Sequence, residues 1–460
     1  MNSANSLYAQ DFGNLQIAMA FVLVLVAMAI SKLLKLDLKK DFFIASLRTT
    51  LQLIGVGYIL RWVFKSESLV VNLLILLVMT LVAAQAVTSR LKQKNLKYYV
   101  AALVALLASV WPLGFIALEV FFRAQALQQS IFFIPFMGVL MGNALSAISL
   151  AFVGLERVRA ENILEIETFK ALGANSFEAC QRLYRDLLRN ALTPNLNGMT
   201  IVGIVSLPGV MAGQLIGGVD PVTAARFQIL VMFLILLTAM VGTLVALGLN
   251  HFFFMPSWLT SQEQPWSFPL EQHEKLVLSG PSGTGKSRLL KSMRLLDLES
   301  VRATLQNKSS VKLLESSSLK TQYLHQRAFF IPGTVEENLR WPFSFKNNSE
   351  KIYKADRIQK FLKKLGLPPD ILQKNATTLS GGEGQLIHLI RSLQFDPQVL
   401  FLDEPSSSLD SQKTELLEAF LDEWTQQKNH SLVMITHNRD QTKRFASKVL
   451  LLKDEGLMYE

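Results

Sequence analysis

A single cysteine, Cys180, stands in 460 residues, so no disulfide framework forms within the chain and no cysteine-rich metal cage is encoded. Histidine is nearly as scarce, and all six lie after position 250. The first half therefore offers a transition metal no imidazole. Charged residues make up only 18% of the chain. The opening Met1 to Asn14 carries neither Lys nor Arg, so the basic start of a secretory signal is not expected there. The formal charge of +10 would suit a nucleic-acid binder, but the Lys and Arg gather beside long apolar runs, where membrane topology accounts for them. No nucleic-acid partner is expected.

Apolar surface, by contrast, is abundant. Half the residues are hydrophobic and mean hydropathy is positive, which demands a sizeable membrane fraction. Runs that reach the roughly 20 apolar residues a bilayer requires occur at 14–34, 42–64, 68–89, 98–122, 131–154, 197–218 and 222–250, predicting seven spans. Arg48, Thr49, Thr50 and Gln52 interrupt the second. Lys32, Lys35, Lys39 and Lys40 follow the first run, Arg90, Lys92, Lys94 and Lys97 the third, and Arg157, Arg159, Lys170, Arg182, Arg185 and Arg189 the fifth. These loops are expected to face the cytoplasm, with the N-terminus outside and the C-terminus inside. A multi-pass protein of a bacterial cytoplasmic membrane, in contact with lipid, is the expectation.

After the last run the sequence changes character. Gly280-Pro281-Ser282-Gly283-Thr284-Gly285-Lys286-Ser287 fits the phosphate-loop pattern GxxxxGK[ST], between an apolar strand at Leu276-Val277-Leu278 and a helix opening at Ser287-Arg288-Leu289-Leu290. The glycines let backbone N–H groups curl around phosphates, Lys286 neutralises their charge, and the Ser287 hydroxyl suits Mg²⁺. Downstream come Leu379-Ser380-Gly381-Gly382-Glu383, the apolar Val399-Leu400-Phe401-Leu402 ending in Asp403-Glu404, then Ser407-Ser408-Leu409-Asp410, and Thr436-His437 after Leu432-Val433-Met434-Ile435.

In this order and spacing the segment from about 262 to 460 resembles the nucleotide-binding domain of ABC transporters. The resemblance implies ATP and Mg²⁺ as cofactors. It implies that Asp403 holds Mg²⁺, that Glu404 polarises the attacking water and that His437 contacts the γ-phosphate. Gln326 then reports nucleotide and Mg²⁺ to the membrane domain. Ser380-Gly381-Gly382, with Asp410 nearby, is similar to the signature region presented to ATP held by a second subunit, which implies a homodimer. Glu383 replaces the commoner Gln. Trp266 and Phe268 are the nearest aromatics for an adenine platform, and core packing explains them equally.

The first half has its own resemblance. Arg48-Thr49-Thr50-Leu51-Gln52-Leu53, Glu165-Ile166-Glu167-Thr168 with Leu172-Gly173-Ala174, and Leu207 to Gln214 followed by Gly217-Gly218-Val219-Asp220-Pro221 resemble the permease of Fet-type iron-export ABC transporters, whose plant relatives are linked to aluminium tolerance. Residues 1–255 are thus expected to form the permease, 256–265 a polar linker, and 266–460 the ATPase. The stretch 156–194 reads as a helical coupling element, with Ile163, Ile166, Phe169 and Leu172 along one side. Its Glu167 to Ala174 part is similar to the short loop that ABC permeases insert into a groove of the ATPase, although an amphipathic connector has the same pattern.

Intramembrane polar residues are the candidates for a substrate path: Arg48 and Gln52 at i,i+4, Gln85, Asn143 and Gln214. Arg48 also suits snorkelling to headgroups. Pro208 and Gly209 are expected to bend or break the sixth run. Gly209, Gly213 and Gly217 make a face for close helix approach or for a gate. Met137, Met141, Met199 and Met211 are read as gap fillers or a thioether path. The expected whole is an α-helical polytopic membrane domain followed by an α/β ATPase, working as a homodimeric ATP-driven exporter of iron or a related metal species. Export of a metal conjugate, sugar nucleotide or lipid is the alternative, as is a non-transporting ATP-gated regulator.

Overall fold

The computed structural model describes residues 14–35, 39–66, 68–91, 95–122, 127, 129–161, 163–259, 273–281, 286–287, 290, 321–427, 430–453 and 456–459. The apolar half is helical: α1 (Asn14–Leu33), α2 (Lys39–Ser66), α3 (Leu69–Ser89), α4 (Leu96–Phe122), α5 (Ser130–Glu161), α6 (Ile163–Ala171), α7 (Ser176–Ile201), α8 (Gly209–Ile216) and α9 (Pro221–Leu259). Helices satisfy their own backbone groups, which lipid cannot do. Helices α3, α4, α5 and α9 surround one core. Small residues such as Ala84, Ala101, Ala105 and Ala144 bring the backbones close, and Phe133, Met137 and Phe152 fill the gaps. Met137 and Met141 are thus core packing.

Five described helices, Lys39–Lys65, Leu69–Ser89, Leu96–Phe122, Ser130–Arg157 and Pro221–Phe252, are long and apolar enough to cross a membrane, and a shorter apolar helix covers Met19–Leu33. The sixth run departs from the seven-span expectation. It is no single helix: α7 ends at Ile201, Gly203 turns with φ +83°, and α8 restarts after Pro208 for only 8 residues. Pro208 has no N–H to continue a helix and its extended backbone instead caps the next one. The Gly209 and Gly213 face makes no close helix contact among the described residues, since a Cβ added at either would have nothing within 4 Å. The expected linker also begins later than 256, because α9 runs to Leu259. Met1 to Gly13, Lys92, Lys94, the rest of the expected linker, Trp266 and Phe268 lie outside the described residues.

The second half is an α/β domain. Strands β1 (Lys275–Ser279), β2 (Thr321–Leu324), β3 (Val399–Asp403), β4 (Ser431–Ile435), β5 (Lys448–Lys453) and β6 (Gly456–Tyr459) form one sheet in the order β2-β3-β4-β1-β5-β6. All neighbours are parallel except β5 and β6. Its flanking helices are α10 (Val335–Arg340), α11 (Ala355–Lys364), α12 (Gly381–Leu393), α13 (Ser411–Gln426) and α14 (Arg439–Phe445). β3 and β4 are buried at every residue, as parallel strands covered on both faces must be. Leu278 pairs with Ile435 and Ile435 with Asp403. The phosphate loop, the two carboxylates and Thr436-His437 therefore leave the sheet at the carboxyl ends of its strands, where such sheets bind ligands.

Close approach in the membrane core rests on Gly242 of α9, where an added Cβ would stand 2.9 Å from Ser109 Oγ and 3.2 Å from Ile148 Cδ1. Gly248 on the same helix has nothing within 4 Å. Gly242→Leu is expected to destabilise the membrane domain by about 1–3 kcal/mol and Gly248→Leu to have little effect, as read by thermal unfolding in detergent. Equal unfolding temperatures for the two variants would contradict this packing.

Candidate ATP site and its membrane contact

The described residues that sequence spacing assigns to ATP lie at and beyond the carboxyl ends of the central strands. Ser287 Oγ donates to Asp403 Oδ1 (3.0 Å) and the Tyr323 hydroxyl donates to Oδ2 (3.0 Å). Glu404 is held from both ends: Gln326 Nε2 donates to Oε2 (2.8 Å), His437 Nε2 lies 3.2 Å from Oε1, its N–H donates to Ile435 O, and its carbonyl accepts from Gln385 Nε2. Its φ of 48° lies in the left-handed region, a conformation that costs a non-glycine residue about 1–2 kcal/mol. Four contacts hold the residue in this conformation.

Lys286 is buried, and its ammonium donates to the carbonyls of Gly280 (3.0 Å) and Pro281 (2.6 Å). Burial lowers its pKa, while Glu404 and Asp403 oppose the shift. A phosphate would relieve that burial by offering a full counter-charge. Ser287 and Asp403 bring hard oxygen donors together, and Gln326, whose amide N–H reaches Glu404, carries a further oxygen of the same kind, a donor set that fits Mg²⁺. Ser282, Gly283, Thr284 and Gly285 lie outside the described residues.

Ser380 caps α12, accepting from Glu383 N–H while Glu383 Oε2 accepts from the Ser380 N–H and hydroxyl. Those bonds hold the Glu383 carboxyl below the usual range. A Cβ on Gly382 would stand 3.0 Å from Ser408 O, so the signature segment lies directly on the loop that leads to Asp410, the cap of α13. No hydrogen bond joins Ser380, Gly381 or Gly382 to Lys286 or Ser287 among the described residues. Tyr323 and Gln385 escaped sequence reasoning. Gln385 had a signal, two positions beyond the signature glutamate, and Tyr323 had only its place in β2.

The other assembly joins the two halves. Phe169 of α6 packs edge-on against Trp341, with ring centroids 4.3 Å apart, and against Phe329 at 5.5 Å. Ile166, Leu172 and Cys180 share this apolar cluster with Phe345 and Phe395. Asn348 Nδ2 donates to Leu172 O (2.7 Å), Asn347 Nδ2 to Gly173 O (3.0 Å), and the Lys346 N–H to Glu178 Oε1 (2.8 Å). The stretch around Glu167 to Ala174 thus inserts into the ATPase. Behind it, Leu187 and Ala191 of α7 pack on Ala147, Ala151 and Leu155 of α5 and on Ala239 and Leu247 of α9.

The five candidates for a substrate path are not gathered. Arg48, Gln52 and Gln85 are exposed, and Asn143 donates to Val139 O of its own helix. Gln214 lines a cavity of about 400 Å³ with Phe132, Phe136, Phe227 and Val231, its Oε1 buried with no hydrogen-bond partner among the described residues.

Gly173 has φ +99°, and a Cβ there would stand 2.8 Å from Asn348 Nδ2. Gly173→Trp is expected to release α6 from the ATPase, raising hydrogen exchange across 163–175 at least tenfold, about 1.4 kcal/mol, while ATP binding persists. Unchanged protection would place the contact elsewhere.

Comparison with known proteins agrees with this two-part geometry. The sequence profile of the family described as Uncharacterised protein family (UPF0014) matches residues 14–254, and that described as ABC transporter matches residues 264–407. The chain is 36% identical to the probable iron export permease protein FetB of Escherichia coli K12, over 53% of this chain and 92% of that protein. It is 34% identical to the probable iron export ATP-binding protein FetA of the same organism, over 42% of this chain and 86% of that one. To the protein ALUMINUM SENSITIVE 3 of Arabidopsis thaliana it is 30% identical, over 55% of this chain and 89% of the plant protein. The chain belongs to the UPF0014 family of membrane proteins, fused to an ABC transporter ATPase, and couples ATP hydrolysis to transport.

Proposed function

We propose that the chain is one half of a homodimer that exports iron or a related metal species across a bacterial inner membrane, using Mg²⁺-ATP. The observation that carries this reading is the seating of α6 on the same domain that brings Asp403, Glu404, Gln326 and His437 together. The names of the FetB and FetA relatives support iron as cargo. Residues 1–255 serve as the permease, with 156–194 as its coupling element, and 266–460 as the ATPase.

In this reading the loop from Gly280 through Pro281, Ser282, Gly283, Thr284 and Gly285 to Lys286 cradles the phosphates. Ser287, Asp403 and Gln326 would hold Mg²⁺, which neutralises phosphate charge. Glu404 orients the attacking water and accepts its proton, and phosphoryl transfer asks little more of the protein than such positioning. His437 contacts the γ-phosphate. Ser380, Gly381, Gly382 and Asp410 complete the site of the partner copy. Each chain carries one phosphate loop and one signature segment, so two copies make two sites. Arg48, Gln52, Gln85, Asn143 and Gln214 are proposed to serve the path, where polar groups at membrane depth are retained for function.

Lys286→Ala is expected to abolish ATP turnover. Glu404→Gln is expected to keep ATP binding, slow hydrolysis by roughly 10²–10⁴-fold and trap a dimer on size exclusion. A variant that hydrolyses normally, or stays monomeric with ATP, would contradict the site. For the cargo, cells lacking the protein are expected to accumulate iron, and Arg48→Ala with Gln52→Ala to impair export more than basal hydrolysis. Equal iron content in deleted and complemented cells would remove the iron reading.

A further inference from the structure

His325 stands directly before Gln326, and nothing so far has given it work. It is only 4% exposed. Its Nδ1 lies 3.8 Å from Oε2 of Glu167 on α6, in the other half of the chain. Its ring stands edge-on to Tyr323 with centroids 4.5 Å apart and an interplanar angle of 75°. Tyr323 is the residue whose hydroxyl donates to Asp403, and Gln326 is the one whose amide donates to Glu404. One imidazole therefore touches the membrane half on one side and adjoins the partners of both site carboxylates on the other.

Among the described residues Glu167 faces it from α6, Tyr323 from β2 and His388 from α12, with Arg391 beside His388. His388 is fully buried; burial, then Arg391 and His325, push its imidazole well below the ordinary range, so it is neutral. The Arg391 guanidinium is directed away, donating to Phe329 O and lying over the Phe330 ring. Glu167 is the carboxylate that faces His325.

We propose that His325 is a positioning residue that ties Glu167 of α6 to the Gln326 segment, so that a nucleotide-driven shift of Gln326 is passed to the membrane domain through this pair. The proposal rests on the reading of the chain as an ATP-driven transporter and not on the identity of its cargo. Consecutive Cα atoms are held about 3.8 Å apart across a trans peptide, so Gln326 cannot be displaced far without carrying His325. The apolar cluster around Phe169 would keep α6 seated through such a shift, but seating is nondirectional. A carboxylate oxygen set against one ring nitrogen supplies the direction.

Hydrogen exchange on the full chain in lipid nanodiscs, with and without Mg²⁺ and a non-hydrolysable ATP analogue, reads both ends of the pair. Peptides over 321–331 report arrival of nucleotide, and peptides over 163–175 report transmission. His325→Phe keeps a ring against Tyr323 and removes both ring nitrogens. It is expected to keep the nucleotide-dependent change at 321–331 and to cut that at 163–175 at least threefold. Glu167→Gln is expected to give the same loss at 163–175, and the double variant no further loss, because the two act as one pair. A full response at 163–175 in His325→Phe, a parallel loss at both segments, or additive losses in the double variant would overturn the role. No response at 163–175 in the unsubstituted chain would overturn the role together with the coupled reading beneath it, whereas a failed iron assay touches neither.

Discussion

When α6 ends at Ala171, the carbonyls of Leu172 and Gly173 have no helical partner of their own. In an isolated membrane domain water would take them. Here the amides of Asn348 and Asn347 take them from the other half of the chain, while Phe169 fills the apolar space between Phe329 and Trp341. Burial of one aromatic side chain stabilises the contact by about 1.5–3 kcal/mol, and the hydrogen bonds set its register. Because α7 follows at once and lies on α5 and α9, whatever moves the helix end moves the membrane core.

The ATP side is organised by its own side chains. Asp403 and Glu404 are adjacent, yet the sheet and its hydroxyl, amide and imidazole neighbours send them to different partners: Ser287 and Tyr323 for the first, Gln326 and His437 for the second. Two like charges side by side would repel if both faced the same point. The left-handed backbone at Glu404 separates them and aims each at its own task. Preorganisation of this kind is what phosphoryl transfer rewards. The signature segment of the same chain is held by the Ser380–Glu383 capping box and lies on Ser408.

The sequence was most legible where chemistry dictates spacing. GxxxxGK[ST], the paired carboxylates after an apolar strand and Thr436-His437 could be placed because a parallel sheet delivers the carboxyl ends of its strands to one side. The docking loop was legible from Glu167 and Gly173, since only a glycine suits φ +99° against Asn348. Its receiving surface was not: Trp341, Asn347 and Asn348 sit in 3-10 turns with no motif. Hydropathy found the long helices and counted 197–218 as a span, while Pro208 and Gly209 already marked the break within it; the turn at Gly203 carried no such mark. The path residues were read from polarity alone, and polarity does not say which of them face one another.

The most direct test of the account concerns the seam between the halves. In a Cys180→Ala background, cysteines placed at Glu178 and Lys346, whose side chain and backbone meet at 2.8 Å, can be challenged with a short bis-thiol cross-linker in native membranes. The account requires efficient bridging within one chain, with nucleotide and without it, because α6 and α7 stay seated while the ATPase moves. Absence of bridging in every nucleotide state, in a protein that still hydrolyses ATP, would contradict it.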